Sequence, residues 1–176
     1  MMPLEKGLVQ VYTGDGKGKT TAALGLALRA AGHGLRVHIV QFMKGWMESG
    51  EQQAVAYLPT VTLARFGRRG FVHPKHPRPE DFAQARLALE EGRRAMHSGE
   101  VDILILDEAI TALSFGLLSL DDILGLLDER PPHMELVLTG RDAPEELCRR
   151  ADLVTEMCAR KHPFEQGIEA RRGIEY

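Results

Sequence analysis

Eight residues near the amino end, Thr13-Gly14-Asp15-Gly16-Lys17-Gly18-Lys19-Thr20, set three glycines, two lysines and a hydroxyl at the spacing of a Walker A phosphate loop, with Thr13 in place of the first glycine. Glycine at 14, 16 and 18 lets the backbone reach positive φ and wrap closely, so that the N–H groups of this run form an anion nest. Lys19 supplies a full positive charge to phosphate oxygens, the Thr20 hydroxyl is a Mg²⁺ ligand, and Thr21 is a further phosphate contact. Far downstream, Asp107-Glu108 closes the apolar run VDILIL of Val101 to Leu106. Adjacent carboxylates at the end of such a run are the Walker B arrangement, in which an acid holds Mg²⁺ directly or through water beside the Thr20 hydroxyl. Thr20, Asp107 and Glu108 are the candidate ligands for Mg²⁺ or Mn²⁺, and which carboxylate touches the metal is open from sequence. Lys19, Thr20 and Glu108 are the candidate catalytic residues of a nucleoside triphosphate site.

These residues need a scaffold that brings strand ends to one rim. Gly7 to Tyr12 is a β-rich run, and Lys19 to Ala31 carries helix formers up to Gly32-His33-Gly34. The phosphate loop therefore lies between strand and helix, the context its motif requires. Arg36 to Phe42 reads as a second strand, Gln52 to Leu58 as a short helix, and Val61 to Ala64 as a third strand. Arg65 to Pro79 is a long loop with three prolines and two glycines. Pro79 then starts a helix whose Phe82, Ala85, Leu89 and Met96 recur at helical spacing until Ser98-Gly99. Val101 to Leu106 is a strand buried on both faces, followed by a helix at Leu120 to Leu127, a strand at Glu135 to Leu138, a helix at Pro144 to Arg150 and a last strand near Leu153 to Glu156. The alternation predicts an α/β fold, a doubly wound and mainly parallel sheet with helices on both faces, in one domain over residues 1–176.

In such sheets ligands gather outside the carboxyl ends of the strands. That rim adds Lys44 after the second strand, Thr139-Gly140-Arg141 after the fifth and Lys161-His162 after the last. Lys44 and Arg141 are candidates to balance polyphosphate charge, Arg141 with the fork geometry for bidentate contact. His73 and His76 in HPKHP do not read as a metal pair, because flanking prolines prevent the helix that would align them. Arg68-Arg69 and Arg171-Arg172 read as solvated basic pairs, and the Leu-rich run Leu113 to Leu127 as core packing.

Composition narrows the partners. With 25 acidic and 22 basic residues the formal charge is −3, so the chain lacks the basic excess of a nucleic-acid binder. Cys148 and Cys158 have no zinc spacing and suit a reducing compartment, no stretch is apolar enough to span a membrane, and Lys6 interrupts any signal peptide. The expected location is the cytoplasm.

Taken together, TGDGKGKTTAALG, VQFMKG, the pair Gly50-Glu51, ILDE, the TGR of Thr139 to Arg141 and KHPFEQGIEARRGIEY closely resemble the ATP:corrinoid adenosyltransferases, from about Val9 to Tyr176. The resemblance implies a fold similar to the RecA-like P-loop NTPases, with ATP held in the reverse sense along the loop. It implies that Co(I) of a reduced corrinoid attacks the 5′ carbon of ATP and that inorganic triphosphate leaves. It also implies a homodimer and, as a further partner, a flavoprotein reductase. Gly70-Phe71 matches the family's aromatic motif near the corrinoid, where an aromatic side chain displaces the lower axial ligand of cobalt. The next motif position, His73, stands where the family commonly has tryptophan, and imidazole is smaller and able to ligate cobalt. Relatives often carry a helix before the first strand, whereas Met1 to Gly7 precede it here, so closure over the corrinoid is expected to use another segment or a partner subunit. The rival readings are a RecA-type ATPase, in which Glu108 would orient water, and a nucleotide-dependent binding module.

Overall fold

The structure is a computed structural model that describes residues 4–46 and 49–176. Six strands are joined by helices in the order β1 (Val9–Thr13), α1 (Lys19–Gly32), β2 (Val37–Gln41), α2 (Gly50–Val55), β3 (Val61–Arg65), α3 (Pro79–His97), β4 (Ile103–Asp107), α4 (Ala109–Ser114), α5 (Leu120–Glu129), β5 (Glu135–Thr139), α6 (Glu145–Arg150) and β6 (Leu153–Glu156). The sheet runs β3-β2-β4-β5-β1-β6, and every pairing is parallel. All six strands stand where the hydrophobic runs predict them. Two helical details differ. Helix α2 starts earlier and ends earlier than its expected span, and α4 was not expected, because Ala109 follows Glu108 with no polar cap or loop to announce a start.

Strand order explains the burial. In β2, β4 and β5 all five residues are buried, whereas the edge strand β6 is exposed throughout. Alternate residues of the central strands feed two cores. Val40, Leu104, Leu106, Leu136 and Leu138 face α3, α5 and α6, while Val37, Ile39, Ile103, Ile105 and Val137 face Ala23, Ala27 and Ala30 of α1. The helices thus cover both faces. The chain moves one way along the sheet from β1 through β2 to β3 and then back through β4, so crossovers of one hand place the connecting helices on opposite faces. Ile123 and Leu126, from the run read as core packing, are fully buried, each contributing about 1.5–3 kcal/mol of transfer free energy.

Side chains cap the starts of two helices, reciprocally in the second. Asp81 accepts from the N–H of Arg78 at 2.8 Å where Pro79 opens α3, and Ser119 and Asp122 exchange bonds at the start of α5. Helix α1 differs, since Gly18 caps it at φ 121° without a side-chain hydrogen bond. Its positive end is left toward the loop that precedes it.

Candidate active site

The carboxyl rim of the sheet is where the backbone leaves ordinary conformations. Among the described residues the non-glycine positions with positive φ are Met43, Glu108 and Asp142, which follow β2, β4 and β5. Such residues are uncommon, and they cluster at functional sites because the fold must hold them there.

Asp107 ends β4 only 1% exposed, yet is surrounded by donors. Its Oδ1 accepts from Thr20 Oγ1 and Thr139 Oγ1, both at 2.8 Å, and its Oδ2 from Lys44 Nζ at 2.7 Å and Gln41 Nε2 at 3.1 Å. Burial pushes this carboxyl up, but the Lys44 charge and the hydrogen bonds outweigh it and hold Asp107 below its ordinary value. Lys44 is held above its ordinary value, the loss of hydration being outweighed by Asp107. Lys44, expected at this rim, is paired with Asp107 and also lines the cavity. Glu108 occupies the left-handed region at φ 64°, turns out of the strand, and accepts from Thr111 Oγ1 at 2.5 Å. Of the two adjacent carboxylates, Glu108 lines the cavity and Asp107 lies behind the Thr20 hydroxyl.

That cavity is about 580 Å³. Asp15, Gly16, Lys17, Gly18, Lys19, Thr20 and Thr21 form one wall, with Lys44, Glu108 and Arg141 completing the polar side. Lys19 is 7% exposed and donates to the carbonyls of Gly14 and Gly16 at 2.7 and 2.8 Å. Burial lowers its pKa, Glu108 works against that shift, and Arg141 adds to it. Thr13 and Gly14 lie behind this wall. The Thr13 hydroxyl accepts from the N–H of Ala143 at 3.2 Å, and a Cβ on Gly14 would come within 2.5 Å of the Met157 carbonyl. A Cβ on Gly16 would stand 2.6 Å from that same oxygen, which already accepts from the Gly16 N–H. The glycines at 14 and 16 thus answer the close approach of the chain leaving β6, a requirement additional to any phosphate.

The chain end also lines the cavity: His162 stands at the rim where the strand order places it, whereas the last four residues are not reached by reading strand by strand. His162, Gly173, Ile174, Glu175 and Tyr176 line the cavity, and Leu24 of α1 adds apolar surface. Lys17 donates to Glu175 Oε1 at 2.9 Å and to the Ile174 carbonyl at 3.2 Å, tying the last residues to the phosphate loop. Their only advance signal is the GIxY ending within the family resemblance.

A glycine-lined loop, a helix end and a threonine hydroxyl bonded to a buried aspartate are the groups that a polyphosphate site requires. Residues 5–176 match the family described as ATP:corrinoid adenosyltransferase BtuR/CobO/CobP. The chain belongs to this family. It is 37% identical over 172 residues to the corrinoid adenosyltransferase of Pseudomonas aeruginosa, covering 98% of this chain and 85% of that protein. The corrinoid adenosyltransferase of Sinorhizobium sp is 39% identical over 174 residues, covering 98% and 81%, and that of Escherichia coli K12 is 36% identical over 172 residues, covering 98% and 87%.

In this adenosyltransferase family member the loop expected to meet the corrinoid lies outside the 580 Å³ cavity. Phe71 is 80% exposed and meets Trp46 edge-on, with ring centroids 5.7 Å apart. His73 turns elsewhere, its ring 5.1 Å from that of His76 and its Nδ1 accepting from the N–H of Lys75 at 3.3 Å. Among the described residues no three His, Cys, Asp or Glu side chains cluster as a metal site. Arg68, expected as a solvated cation, is instead buried against Asp81, with Nε 2.7 Å from Oδ1.

Proposed function

We propose that this chain transfers the 5′-deoxyadenosyl group of ATP to the Co(I) of a reduced corrinoid and releases triphosphate, with the whole chain acting as one catalytic unit. The observation that carries the reading is the cavity wall from Asp15 to Thr21, backed by the Thr20–Asp107 bond, in a chain of this family. The cobalt electron pair forms the bond to the 5′ carbon, the carbon–oxygen bond breaks, and its electrons leave with the triphosphate. No general base is needed, because the nucleophile carries its own pair.

What the protein supplies is alignment and charge. The N–H groups of the loop, the α1 end and Lys19 stabilise the charge that grows on the departing triphosphate, and they are in place before the reaction. Lys19 releases its bonds to Gly14 and Gly16 and turns to phosphate oxygens, while Lys44 and Arg141 add positive charge at the rim. The donors Thr20 Oγ1 and the Glu108 carboxylate, with Asp107 behind, are hard oxygen ligands that suit Mg²⁺ or Mn²⁺. When bound, such an ion would neutralise polyphosphate charge. Phe71 faces the corrinoid in this reading, and His73, engaged with His76, stands aside. On family resemblance the proposal extends to a cytoplasmic homodimer served by a flavoprotein reductase. Among the described residues no helix is long and apolar enough to cross a membrane.

The test supplies ATP, Mg²⁺ and chemically reduced cobalamin and follows the absorbance of the alkylcobalt product. Triphosphate with that chromophore supports transfer, whereas ADP with phosphate supports hydrolysis and overturns it. Lys19→Ala should lower turnover by roughly 10²–10³-fold. Undiminished turnover would remove Lys19 from its role.

A further inference from the structure

The loop that carries Phe71 is held in an unusual way. Three consecutive carbonyls each accept from a side chain: Arg69 O from Arg68 Nη1 at 2.9 Å, Gly70 O from Trp46 Nε1 at 3.1 Å, and Phe71 O from Arg68 Nη2 at 2.7 Å. Arg68 is itself anchored. Its side chain is 9% exposed and contacts Asp81, 1% exposed, whose other oxygen caps α3. The loop is also fastened to the chain leaving β2. The N–H of Lys44 donates to Phe66 O, that of Phe66 donates to Gln41 O, and a Cβ on Gly45 would meet the Gly67 carbonyl at 1.9 Å.

Such bracing normally accompanies side chains packed into a core. Here the backbone is fixed and the rings face water, Phe71 80% and Trp46 40% exposed. Large apolar rings on a rigid support lose little conformational entropy when they bind, and they lose contact with water only when something covers them. Their position says what that something meets. Trp46 lies two residues beyond Lys44, which lines the cavity proposed for ATP, so the chain that carries this ring leads directly from that cavity's wall.

We propose that Trp46 and Phe71 form one aromatic ledge that receives the flat face of the corrinoid, with Trp46 a specificity-determining contact and Arg68 the residue that positions the ledge. The proposal rests on the adenosyltransferase reading and deepens it, assigning to a residue of the β2–α2 connection the second ring that His73 does not provide. Arg68 acts through the backbone. Its planar fork spans two carbonyls while its Nε faces a carboxylate, which a lysine could not reproduce.

The experiment measures adenosylation with ATP, Mg²⁺ and chemically reduced cobalamin, taking the KM for each substrate separately. Trp46→Ala should raise the KM for the corrinoid about tenfold, as expected for the loss of one well-oriented aromatic contact, and leave the KM for ATP unchanged. Trp46→Phe should restore most of it. For the positioning role, Arg68→Met combined with Asp81→Asn removes both charges and so leaves no unpaired buried ion. That double variant should raise the corrinoid KM with Trp46 and Phe71 intact, again without a change for ATP. If Phe71→Ala raises the corrinoid KM and Trp46→Ala does not, the ledge is refuted while the adenosyltransferase reading stands. If Trp46→Ala raises both KM values equally, the specific contact is refuted. If neither ring matters, both the ledge and the placing of the corrinoid at this loop are refuted.

Discussion

Strand β4 ends in one aspartate and is preceded by another, and the two are used differently. Just before the strand, Asp102 is gripped by one residue, Arg36, through its N–H at 2.8 Å, Nε at 3.1 Å and Nη2 at 2.8 Å, while the Asp102 carbonyl accepts from the N–H of Glu135. At its end Asp107 is met by four separate side chains, from the phosphate loop helix, β2, the β2–α2 connection and β5. A single planar fork fixes an acid and leaves it nothing to exchange. Four donors on four segments hold an acid just as firmly and connect it to groups that also reach a ligand. Thr20 and Lys44 both line the cavity, so any change at Asp107 passes to the cavity wall, whereas Asp102 only joins strand ends. Residue type and burial are shared by the two aspartates, and the partners decide their function.

The sharpest way to break this contrast is to neutralise each acid. Asp107→Asn should reduce adenosylation roughly 10–100-fold, as for loss of a group that orients metal and phosphate ligands, and Asp102→Asn should leave kcat unchanged. Steady-state kinetics on the two variants check this, and equal losses would dissolve the distinction.

A smaller effect concerns stability. Arg36→Ala should cost about 1–2 kcal/mol by chemical denaturation, the range for hydrogen bonds to a charged group discounted for a half-exposed guanidinium, with the KM for ATP untouched. A change in that KM would tie the two ends of β4 together.

The smallest effect is a pH slope. The Arg36 hydrogen bond holds Asp102 below the ordinary value of 3.8, and Asp107 is likewise low, its burial outweighed by Lys44 and the hydroxyls. A carboxylate with a depressed folded pKa contributes stability that is complete above its unfolded value and is lost as pH falls through the folded one. Stability should therefore decline below about pH 4, and each Asp→Asn variant should show a shallower decline in urea midpoints measured across that range. An undiminished slope in the Asp102 variant would mean that Asp102 titrates alike in the folded and unfolded chain, and would remove it from the acid sensitivity.

Much of the site is visible in the residues themselves. Gly14 to Thr20 announces a phosphate loop because its chemistry is local, and the six strands follow from short β-rich apolar runs bounded by turn residues. Helix α4 was not legible, since Glu108 makes the turn into it from a left-handed conformation that no residue pattern marks. Arg68 read as solvated because two adjacent arginines usually are, and Asp81, which buries it, lies on another element.

The amino-acid sequence by itself determined the cradle, the alternation of strand and helix, and the likeness to corrinoid adenosyltransferases, all carried by residues near one another along the chain. Only the tertiary structure decided that Asp107 stands behind Thr20 while Glu108 meets the cavity, that Met157 is what requires glycine at 14 and 16, and that Trp46 lies against Phe71. It alone brought Glu175 to Lys17 from 158 residues away. The physical reason is that local periodicity places a side chain on a face, whereas its partners depend on the order in which strands pair, and that order is settled by burial over the whole chain.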